Sequence, residues 1–257
     1  MDNSETVISI DVEWAHPEVL ADVVRLLDER EIRATFFCTH QGIKVPGHER
    51  ALHPNFRRSR NSPLSSISTE TLAADSPFYR FVVSATRAFC PEAVGVRAHS
   101  LFFDTDLLTI YRDAGLEYDS SSMLPLAPDL APVWRGSGIL ELPAYYMDHW
   151  DLREQATGLD LTALRLGRRG LKVLVFHPNL IYLNATTESD YEDSRPRYDD
   201  PEWLLAHRNS GNGVRAMFVK LLDWLTQRES PPVLSDLNER WRTANADTVG
   251  ASTEGVG

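Results

Sequence analysis

Cysteine is scarce in this sequence, which has only Cys38 and Cys90 among its 257 residues. Two cysteines are too few for a disulfide framework, and a chain of this length can bury enough surface to hold a core without one. Cys38 ends the apolar run at residues 34–38. In that setting a cysteine behaves as a small hydrophobic residue, so we predict a buried thiol rather than a metal ligand or half of a redox pair.

Positive charge is also in short supply. Lys and Arg number 26 against 37 Asp and Glu, which gives a formal net charge of −11 at pH 7. A protein that binds nucleic acid needs a basic face for the phosphates, so this deficit argues against nucleic acid as a partner. Arg57, Arg58 and Arg60 form a local exception, and a solvated loop explains them better than an anion-binding site does.

Long apolar runs are missing as well. No stretch approaches the roughly 18 uninterrupted apolar residues of a membrane-spanning helix. Residues 1–6 are polar and acidic, without the cationic start and apolar stretch of a secretory signal peptide. We therefore expect a cytoplasmic protein with no membrane span.

Short apolar runs alternate with segments of helical period, which is the pattern of βα units around a parallel sheet. The sequence predicts strands at residues 7–10, 33–37, 93–97, 139–142 and 171–176. This alternation indicates an α/β fold in which strand follows helix throughout.

Three helices have clear signals in the sequence. One begins near Pro17, which suits a first helical turn, and another starts at the cap residue Asp104 and ends at Gly115. The strongest apolar stripe of helical spacing lies near the C-terminus and indicates a core-facing helix. Its members are Val214, Met217, Phe218, Leu221, Leu222 and Leu225.

Two polar stretches, residues 54–76 and 184–201, predict long loops, which in a compact domain are often functional. No linker divides the chain, so residues 1–242 are expected to form a single domain. Residues 243–257 have the composition of a disordered tail.

Two carboxylates stand at the end of the first predicted strand. Asp11 and Glu13 are two residues apart, so strand alternation would put both on one face, about 7 Å apart. In a parallel barrel the carboxyl ends of the strands build the active site. One acid could then bind a metal while the other acts as a base, although solvated acids at a strand end are common.

Histidines follow other predicted strands in the same way. His53, His99 and His177 each come after an apolar run, and the tripeptide His-Pro-Asn occurs at both His53 and His177. One histidine alone is more often structural than catalytic. If the sheet is parallel, however, all three lie on the same rim as the two acids, which indicates a metal or acid–base site.

These motifs, in this order, resemble those of the polysaccharide deacetylases with a NodB homology domain, also called carbohydrate esterase family 4. The resemblance runs from about Ile8 to Asn184, and within the family it is closest to the cytoplasmic type associated with surface polysaccharide and O-antigen biosynthesis. The five motifs match Asp11-Val12-Glu13, residues 47–53, Arg97-Ala98-His99, residues 118–121 and residues 174–177. The resemblance implies a distorted (β/α) barrel with about seven parallel strands.

The resemblance also implies catalytic roles. Asp11 would be the general base, Arg97 would hold it by a charge-assisted hydrogen bond, and His177 would be the general acid. Asp119 would be a carboxylate partner of His177. The implied reaction is metal-dependent removal of an N-acetyl group from an amino sugar in a surface polysaccharide (O-antigen) precursor, so the expected partner is an N-acetylated saccharide.

The implied metal site departs from the family at one position. Glu13 and His53 match ligands, but the family's second histidine, four residues after the first, is replaced by Arg57. An arginine stays cationic and cannot replace a ligand. His99 is the preferred substitute and His48 the second choice. Two imidazoles and one carboxylate suit zinc, although other divalent transition metals fit nearly as well.

Other functions stay open on the sequence alone. A catalytically inactive homologue that binds carbohydrate would explain Arg57, and a glycosidase could use Asp11 with a second carboxylate but would leave the histidines unexplained. A metal-dependent phosphoesterase would need more aspartates. One or two aromatic residues near the rim could stack on sugar rings, the candidates being Trp14, Phe56, Trp134, Tyr145, Tyr146 and Trp150.

Overall fold

One curled sheet organises the computed structural model, which describes residues 4–57 and 76–246. Within these residues the sheet has nine strands. They are β1 (Ser4–Asp11), β2 (Thr35–Cys38), β3 (Glu49–Leu52), β4 (Gly95–Val96), β5 (Tyr118–Asp119), β6 (Val133–Trp134), β7 (Leu140–Glu141), β8 (Ala144–Met147) and β9 (Gly170–Phe176).

The strand order is β6-β7-β5-β4-β3-β2-β1-β9-β8. Of the described strands, β6 alone runs antiparallel to its neighbour, and all the others pair in parallel. The sheet curls into a half-barrel within one α/β domain, as the alternating pattern predicts. The expected count of about seven parallel strands is not confirmed: the described sheet has nine strands, several of them only two residues long.

Helices cover the sheet and connect its parallel strands. Within the described residues they are α1 (Pro17–Asp28), α2 (Ser76–Arg87), α3 (Thr105–Asp113), α4 (Asp148–Glu154), α5 (Pro178–Leu183), α6 (Glu188–Ser194), α7 (Pro201–Ala206), α8 (Val214–Leu225) and α9 (Leu234–Ala244).

The predicted helix signals are confirmed. Pro17 opens α1, and the Asp104 carboxylate caps α3 by accepting from the Asp106 N–H. The apolar stripe of α8 is buried throughout. None of the helices in residues 4–57 and 76–246 is long and apolar enough to cross a membrane.

The polar stretch at residues 184–201 is not the loop that was predicted, because α6 occupies part of it. Thr187 caps this helix with a reciprocal box, in which its hydroxyl accepts from the Asp190 N–H and the Asp190 carboxylate accepts from the Thr187 N–H. A short helix can be polar all round when its ends are capped in this way, and such a helix leaves no apolar stripe to detect.

The strands that carry the candidate site are the most deeply buried. β1 lies between β2 and β9, with Ile10 opposite Phe36 on one side and Phe176 on the other. All three side chains are fully buried, as is the Cys38 thiol, which confirms its predicted place in the core. Most of the predicted loop at residues 54–76, and the tail beyond residue 246, lie outside the described residues, so the boundary at residue 242 stays a prediction.

Candidate active site

The backbone turns sharply where β1 ends. Glu13 and Trp14 both adopt left-handed conformations, with φ angles of 51° and 58°. This conformation is uncommon for residues other than glycine and is concentrated at functional sites. The Trp14 N–H donates to the Thr39 hydroxyl at 3.3 Å, which ties the turn to the end of β2. The relation between Asp11 and Glu13 is therefore set by this turn and not by the strand alternation that the sequence suggested.

Arg97 follows β4 and is fully buried beneath the site. Its Nη1 donates to the Asp11 carboxylate at 2.7 Å and to the Ser9 hydroxyl at 3.0 Å. Its Nε and Nη2 donate to the carbonyl and hydroxyl of Ser120, at 3.0 and 2.8 Å. The guanidinium also lies 4.1 Å from the centre of the Phe37 ring. Every side of this cation is thus occupied, as a buried charge requires.

The charge of Arg97 controls the ionisation of Asp11. Burial by itself would raise the pKa of this carboxyl, but the adjacent guanidinium, together with the imidazoles of His53 and His177, holds the pKa of Asp11 below its usual value. Asp11 is only 3% exposed. The geometry that the family resemblance implied for this pair is present: an ionised carboxylate held by a charge-assisted hydrogen bond from Nη1 of Arg97.

Glu13, His53 and His99 come together in front of Asp11. One ligand atom from each lies within 4.8 Å of the others. Oε1 of Glu13 is 2.8 Å from Nδ1 of His99 and 3.5 Å from Nε2 of His53. The two imidazole rings meet edge to face, with their centres 5.5 Å apart.

Backbone contacts hold the two histidines in this position. Nδ1 of His53 donates to the Arg97 carbonyl at 2.7 Å, and the His99 N–H donates to the Pro54 carbonyl at 2.9 Å. After His99 the chain makes a 3-10 turn, His99–Leu101, in which Ser100 and Leu101 have positive φ angles of 58° and 53°. The turn directs His99 back toward the loop that carries His53.

The donor set fits a divalent cation. Nδ1 of His53 must carry a proton to donate to a carbonyl, and in that tautomer Nε2 presents its lone pair to Oε1 of Glu13, 3.5 Å away. Nδ1 of His99 is buried close to the same carboxylate but is not aligned for a hydrogen bond. Lone pairs that converge in this way need positive charge between them, and zinc prefers this combination of imidazole and carboxylate.

His48 and Arg57 stand apart from this group. His48 accepts the Ala34 N–H at 3.2 Å and pairs with Asp28 at 3.2 Å. Ala34 immediately precedes β2, and Asp28 is the last residue of α1. The second-choice ligand is therefore wrong, since His48 precedes β3 and lies at the amino ends of the strands. The exposed Arg57 donates its backbone N–H to Asn55 and does not belong to the ligand group.

His177 lies at the end of β9 and is held by Asp148. Its Nδ1 is 2.5 Å from one carboxylate oxygen of Asp148, and its backbone N–H donates to the other at 2.8 Å. Burial would lower the pKa of this imidazole, but the Asp148 carboxylate raises it to about 9. His177 is therefore a protonated histidine at neutral pH, with Nδ1 occupied and Nε2 left for a substrate.

The prediction that Asp119 partners His177 is wrong. Oδ1 of Asp119 accepts from the N–H and hydroxyl of Ser121, at 3.0 and 2.5 Å, and that hydroxyl accepts the Ala98 N–H at 2.9 Å. Successive residues of an extended chain alternate faces, and it is Ser120, next to Asp119, that bonds Arg97. Asp119 thus supports the backbone beside Arg97 from the other face of the sheet.

Asp148 was missed by the sequence reasoning, although a signal existed. It directly follows the apolar run Tyr145-Tyr146-Met147, just as Asp11 ends the apolar run of β1. The two tyrosines had been considered as pocket residues, but both are buried: the hydroxyl of Tyr145 donates to Leu164 and that of Tyr146 to Asp151. The acid after this strand, rather than its aromatic residues, faces the site.

A set of rings borders His177 on the side of α4 and α6. The His149 ring meets the His177 ring edge to face at 6.2 Å, and it lies 4.1 Å from the Tyr191 ring at an angle of 35°. On the other side of the site, Trp14 meets His99 edge to face at 5.3 Å. Of the aromatic residues proposed for the rim, Trp14 and Trp150 are partly exposed near these groups, whereas Phe56 is buried.

Comparison with known proteins adds a family and a fold. Residues 8–195 match the WbmS-like polysaccharide deacetylase family. A structure from Bordetella bronchiseptica, described as a polysaccharide deacetylase involved in O-antigen biosynthesis, is 27% identical with a TM-score of 0.74, over 87% of this chain and 91% of that one. A Mycobacterium smegmatis structure, described as a polysaccharide deacetylase, is 17% identical with a TM-score of 0.59, over 95% and 92%. No curated protein matches the chain.

Proposed function

The chain belongs to the WbmS-like family of polysaccharide deacetylases, and we propose that it hydrolyses the N-acetyl group of an amino sugar with the help of a divalent metal. One observation carries the proposal: a two-histidine, one-carboxylate donor set lies beside an ionised aspartate and a protonated histidine. In metal-assisted amide hydrolysis these groups would serve as metal site, base and acid. The family match supports the coarser part of the proposal, a hydrolase of the polysaccharide deacetylase type.

The residues that would hold the metal are Glu13, His53 and His99, with zinc as the preferred ion. Three protein ligands leave a coordination position open, which is typical of catalytic rather than structural zinc. When bound, the ion supplies Lewis acidity toward the carbonyl and water reactants. The chain's own contribution at this site is to orient the two imidazoles, through the bond from His53 Nδ1 to the Arg97 carbonyl and the bond from the His99 N–H to the Pro54 carbonyl.

Asp11 is proposed as the general base that takes a proton from the attacking water. A base must be ionised before the reaction, and the guanidinium of Arg97 keeps it so by lowering the pKa of Asp11. The same guanidinium holds Nη1 2.7 Å from one carboxylate oxygen, which leaves the other oxygen for the water. The bonds from Arg97 to Ser9 and Ser120 hold the guanidinium in place while Asp11 gains a proton.

His177 is proposed as the general acid that protonates the leaving amine. An amide nitrogen leaves poorly as an anion, so a proton must reach it as the carbon–nitrogen bond breaks. Asp148 occupies Nδ1 and raises the pKa of His177 to about 9, so Nε2 carries the proton at neutral pH. Asp11 and His177 therefore begin the reaction in the two protonation states that base and acid require.

An N-acetylated hexosamine in a surface polysaccharide precursor is the proposed substrate. The family match supports a saccharide, and the Bordetella bronchiseptica neighbour, which covers most of both chains, is described as acting in O-antigen biosynthesis. A glycosidase is less well supported, because it needs a free pair of carboxylates. Glu13 lies against two imidazoles and Asp148 is bonded to His177.

Acetate release from N-acetylated amino sugars tests this proposal. The protein loaded with zinc should release acetate, a chelator should stop the reaction, and fresh zinc should restore it. Asp11→Asn should lower kcat by about 10²- to 10⁴-fold, the usual contribution of a general base, while still binding metal. Binding of the sugar without acetate release by the zinc-loaded protein would contradict the proposal and identify an inactive carbohydrate-binding homologue.

A further inference from the structure

His149 is held next to the proposed acid but has no role in the chemistry described so far. Its backbone N–H donates to Oδ1 of Asp148 at 2.7 Å, the same oxygen that holds Nδ1 of His177. Its ring lies edge-on to His177, with the ring centres 6.2 Å apart. The position of His149 is therefore fixed by the Asp148–His177 pair itself.

Tyr191 fixes the ring of His149 from the other side. The two rings lie 4.1 Å apart with 35° between their planes. Tyr191 comes from α6, which packs against α4, the helix that carries His149. Burial and the negative charge of Glu13 raise the pKa of the Tyr191 phenol, which also shares a hydrogen bond with Tyr198. The stacked pair thus borders both the acid and the metal-ligand group.

The nitrogens of the His149 ring are free to bind a ligand. Among residues 4–57 and 76–246, neither ring nitrogen has a hydrogen-bond partner, although the side chain is half-buried. Burial and the charge of His177 lower the pKa of His149, so the ring is neutral and offers one N–H donor and one acceptor. A polar ring whose position is fixed by stacking and backbone bonds is preorganised for binding.

We propose that His149 binds the ring hydroxyl adjacent to the scissile acetamido group and so positions the leaving nitrogen at Nε2 of His177. The inference rests on the proposed deacetylase function and adds the part of the sugar that the site recognises. In a hexosamine, the acetamido group and the neighbouring hydroxyl project from adjacent ring carbons. Two neighbouring imidazoles can therefore engage both groups of one sugar at the same time.

The test replaces His149 by Phe and measures kcat and KM for acetate release. Phe keeps the stacking on Tyr191 and removes both nitrogens, so KM should rise about tenfold, the effect of one lost hydrogen bond, with kcat nearly unchanged. His149→Gln retains a donor and an acceptor and should recover part of the lost affinity. His207→Phe is the matched control, since His207 stacks on Trp203 at 3.9 Å on α7, and it should leave both constants unchanged.

A deoxy sugar that lacks the adjacent hydroxyl makes the test specific. The wild type should have about the same KM for the deoxy sugar as His149→Phe has for the full sugar. The KM of His149→Phe for the deoxy sugar should be no higher than either of these values. An unchanged KM in a folded His149→Phe protein would overturn the inference. So would a fall in kcat alone, which would mean that His149 acts on His177 instead of the sugar.

Two further outcomes are also decisive. If His149→Phe fails to fold, as judged by circular dichroism, His149→Gln and the deoxy sugar still decide the question. If the zinc-loaded wild type releases no acetate from any N-acetylated sugar, the proposed function fails and this inference falls with it. If the wild type is active but substitution of His149 leaves KM unchanged, the inference is overturned and the proposed function still stands.

Discussion

Two residues with opposite pKa shifts lie at the centre of the site, and each shift has an identifiable cause. The Arg97 guanidinium lowers the pKa of Asp11 against the effect of burial, whereas the Asp148 carboxylate raises the pKa of His177 against the same effect. Pairs of titratable groups whose environments push their pKa values apart are the usual mark of an acid and a base. The assignment of roles therefore follows from the neighbours of each group.

Asp148→Asn tests the partner of the proposed acid. With the carboxylate removed, the pKa of His177 should fall from about 9 toward its ordinary value, because only the more weakly acting Glu13 and Asp11 still oppose burial. The alkaline limb of kcat/KM should then move to lower pH, and activity at pH 8 should fall by up to about thirtyfold, the loss in the protonated fraction of His177 when its pKa falls to the ordinary value. The measurement is the pH profile of acetate release.

Asp151→Asn is the control for that profile. Asp151 lies on the same helix, α4, and is also buried, but its carboxylate bonds Tyr146 and Thr157 instead of His177. The alkaline limb should stay in place in this variant. An unmoved limb in Asp148→Asn as well would show that Asp148 does not set the protonation of the acid.

At the scale of elements, the long buried strands and the capped helices could be predicted, and the short elements could not. β1 and β9 give runs of apolar residues, and Pro17 and Asp104 mark helix starts. Strands of two residues such as β5 and β6 carry no periodicity. The capped, polar helix α6 was missed for a related reason, since it has no apolar stripe.

Most of the candidate site could also be predicted, because the residues follow strands whose carboxyl ends meet. His99 was identified as a substitute ligand from its spacing to Arg97, and the structure places it there. The turn at Glu13, with its positive φ angle, could not be predicted, since strand alternation says nothing beyond the end of the strand. The pairing of His177 with Asp148 instead of Asp119 depends on the strand order, in which β8 pairs directly with β9.

Gly95→Ala tests how tightly β4 and β5 pack at the amino ends of the strands. A Cβ atom on Gly95 would lie 1.8 Å from Cζ of Tyr118, and the Tyr118 hydroxyl donates to the half-buried Glu49 at 2.7 Å. The ring cannot move without breaking that bond, so the substitution should lower the free energy of unfolding by about 1–3 kcal/mol or more. Urea denaturation measures the loss.

Gly136→Ala is the matched control, because its Cβ would lie 3.5 Å from Leu108 in ordinary van der Waals contact. This variant should unfold at nearly the same urea concentration as the wild type. If Gly95→Ala is equally harmless, the contact between Gly95 and the Tyr118 ring does not limit packing at this end of the sheet.

The stability of the whole molecule should depend on a pair of buried acids. Asp119 and Glu141 are register partners on β5 and β7, with Arg135 bonded to Glu141 at 2.9 Å as their cation. Burial and the neighbouring carboxylate raise the pKa of Glu141 to about 8. Between its unfolded pKa, near 4.5, and this value, the folded protein keeps a proton that the unfolded chain has lost, so stability falls as pH rises through that range.

Glu141→Gln should remove this dependence. One proton held only by the folded state gives a slope of about 1.4 kcal/mol per pH unit, so the free energy of unfolding of the variant should fall less steeply than that of the wild type between pH 5 and 8. Denaturant unfolding at several pH values measures the slope. Glu202→Gln, at an exposed position, should keep the wild-type slope. Parallel slopes for Glu141→Gln and the wild type would contradict the raised pKa of Glu141.

The central claim is that Glu13, His53 and His99 bind a catalytic metal, and metal stoichiometry tests it most directly. Elemental analysis of protein purified without chelator should give about one zinc per chain for the wild type and for His48→Ala, whose histidine lies outside the group. His53→Ala and His99→Ala should each lose the ion while remaining folded. A wild-type protein that holds no divalent metal even after soaking, or histidine variants that all retain it, would contradict the account.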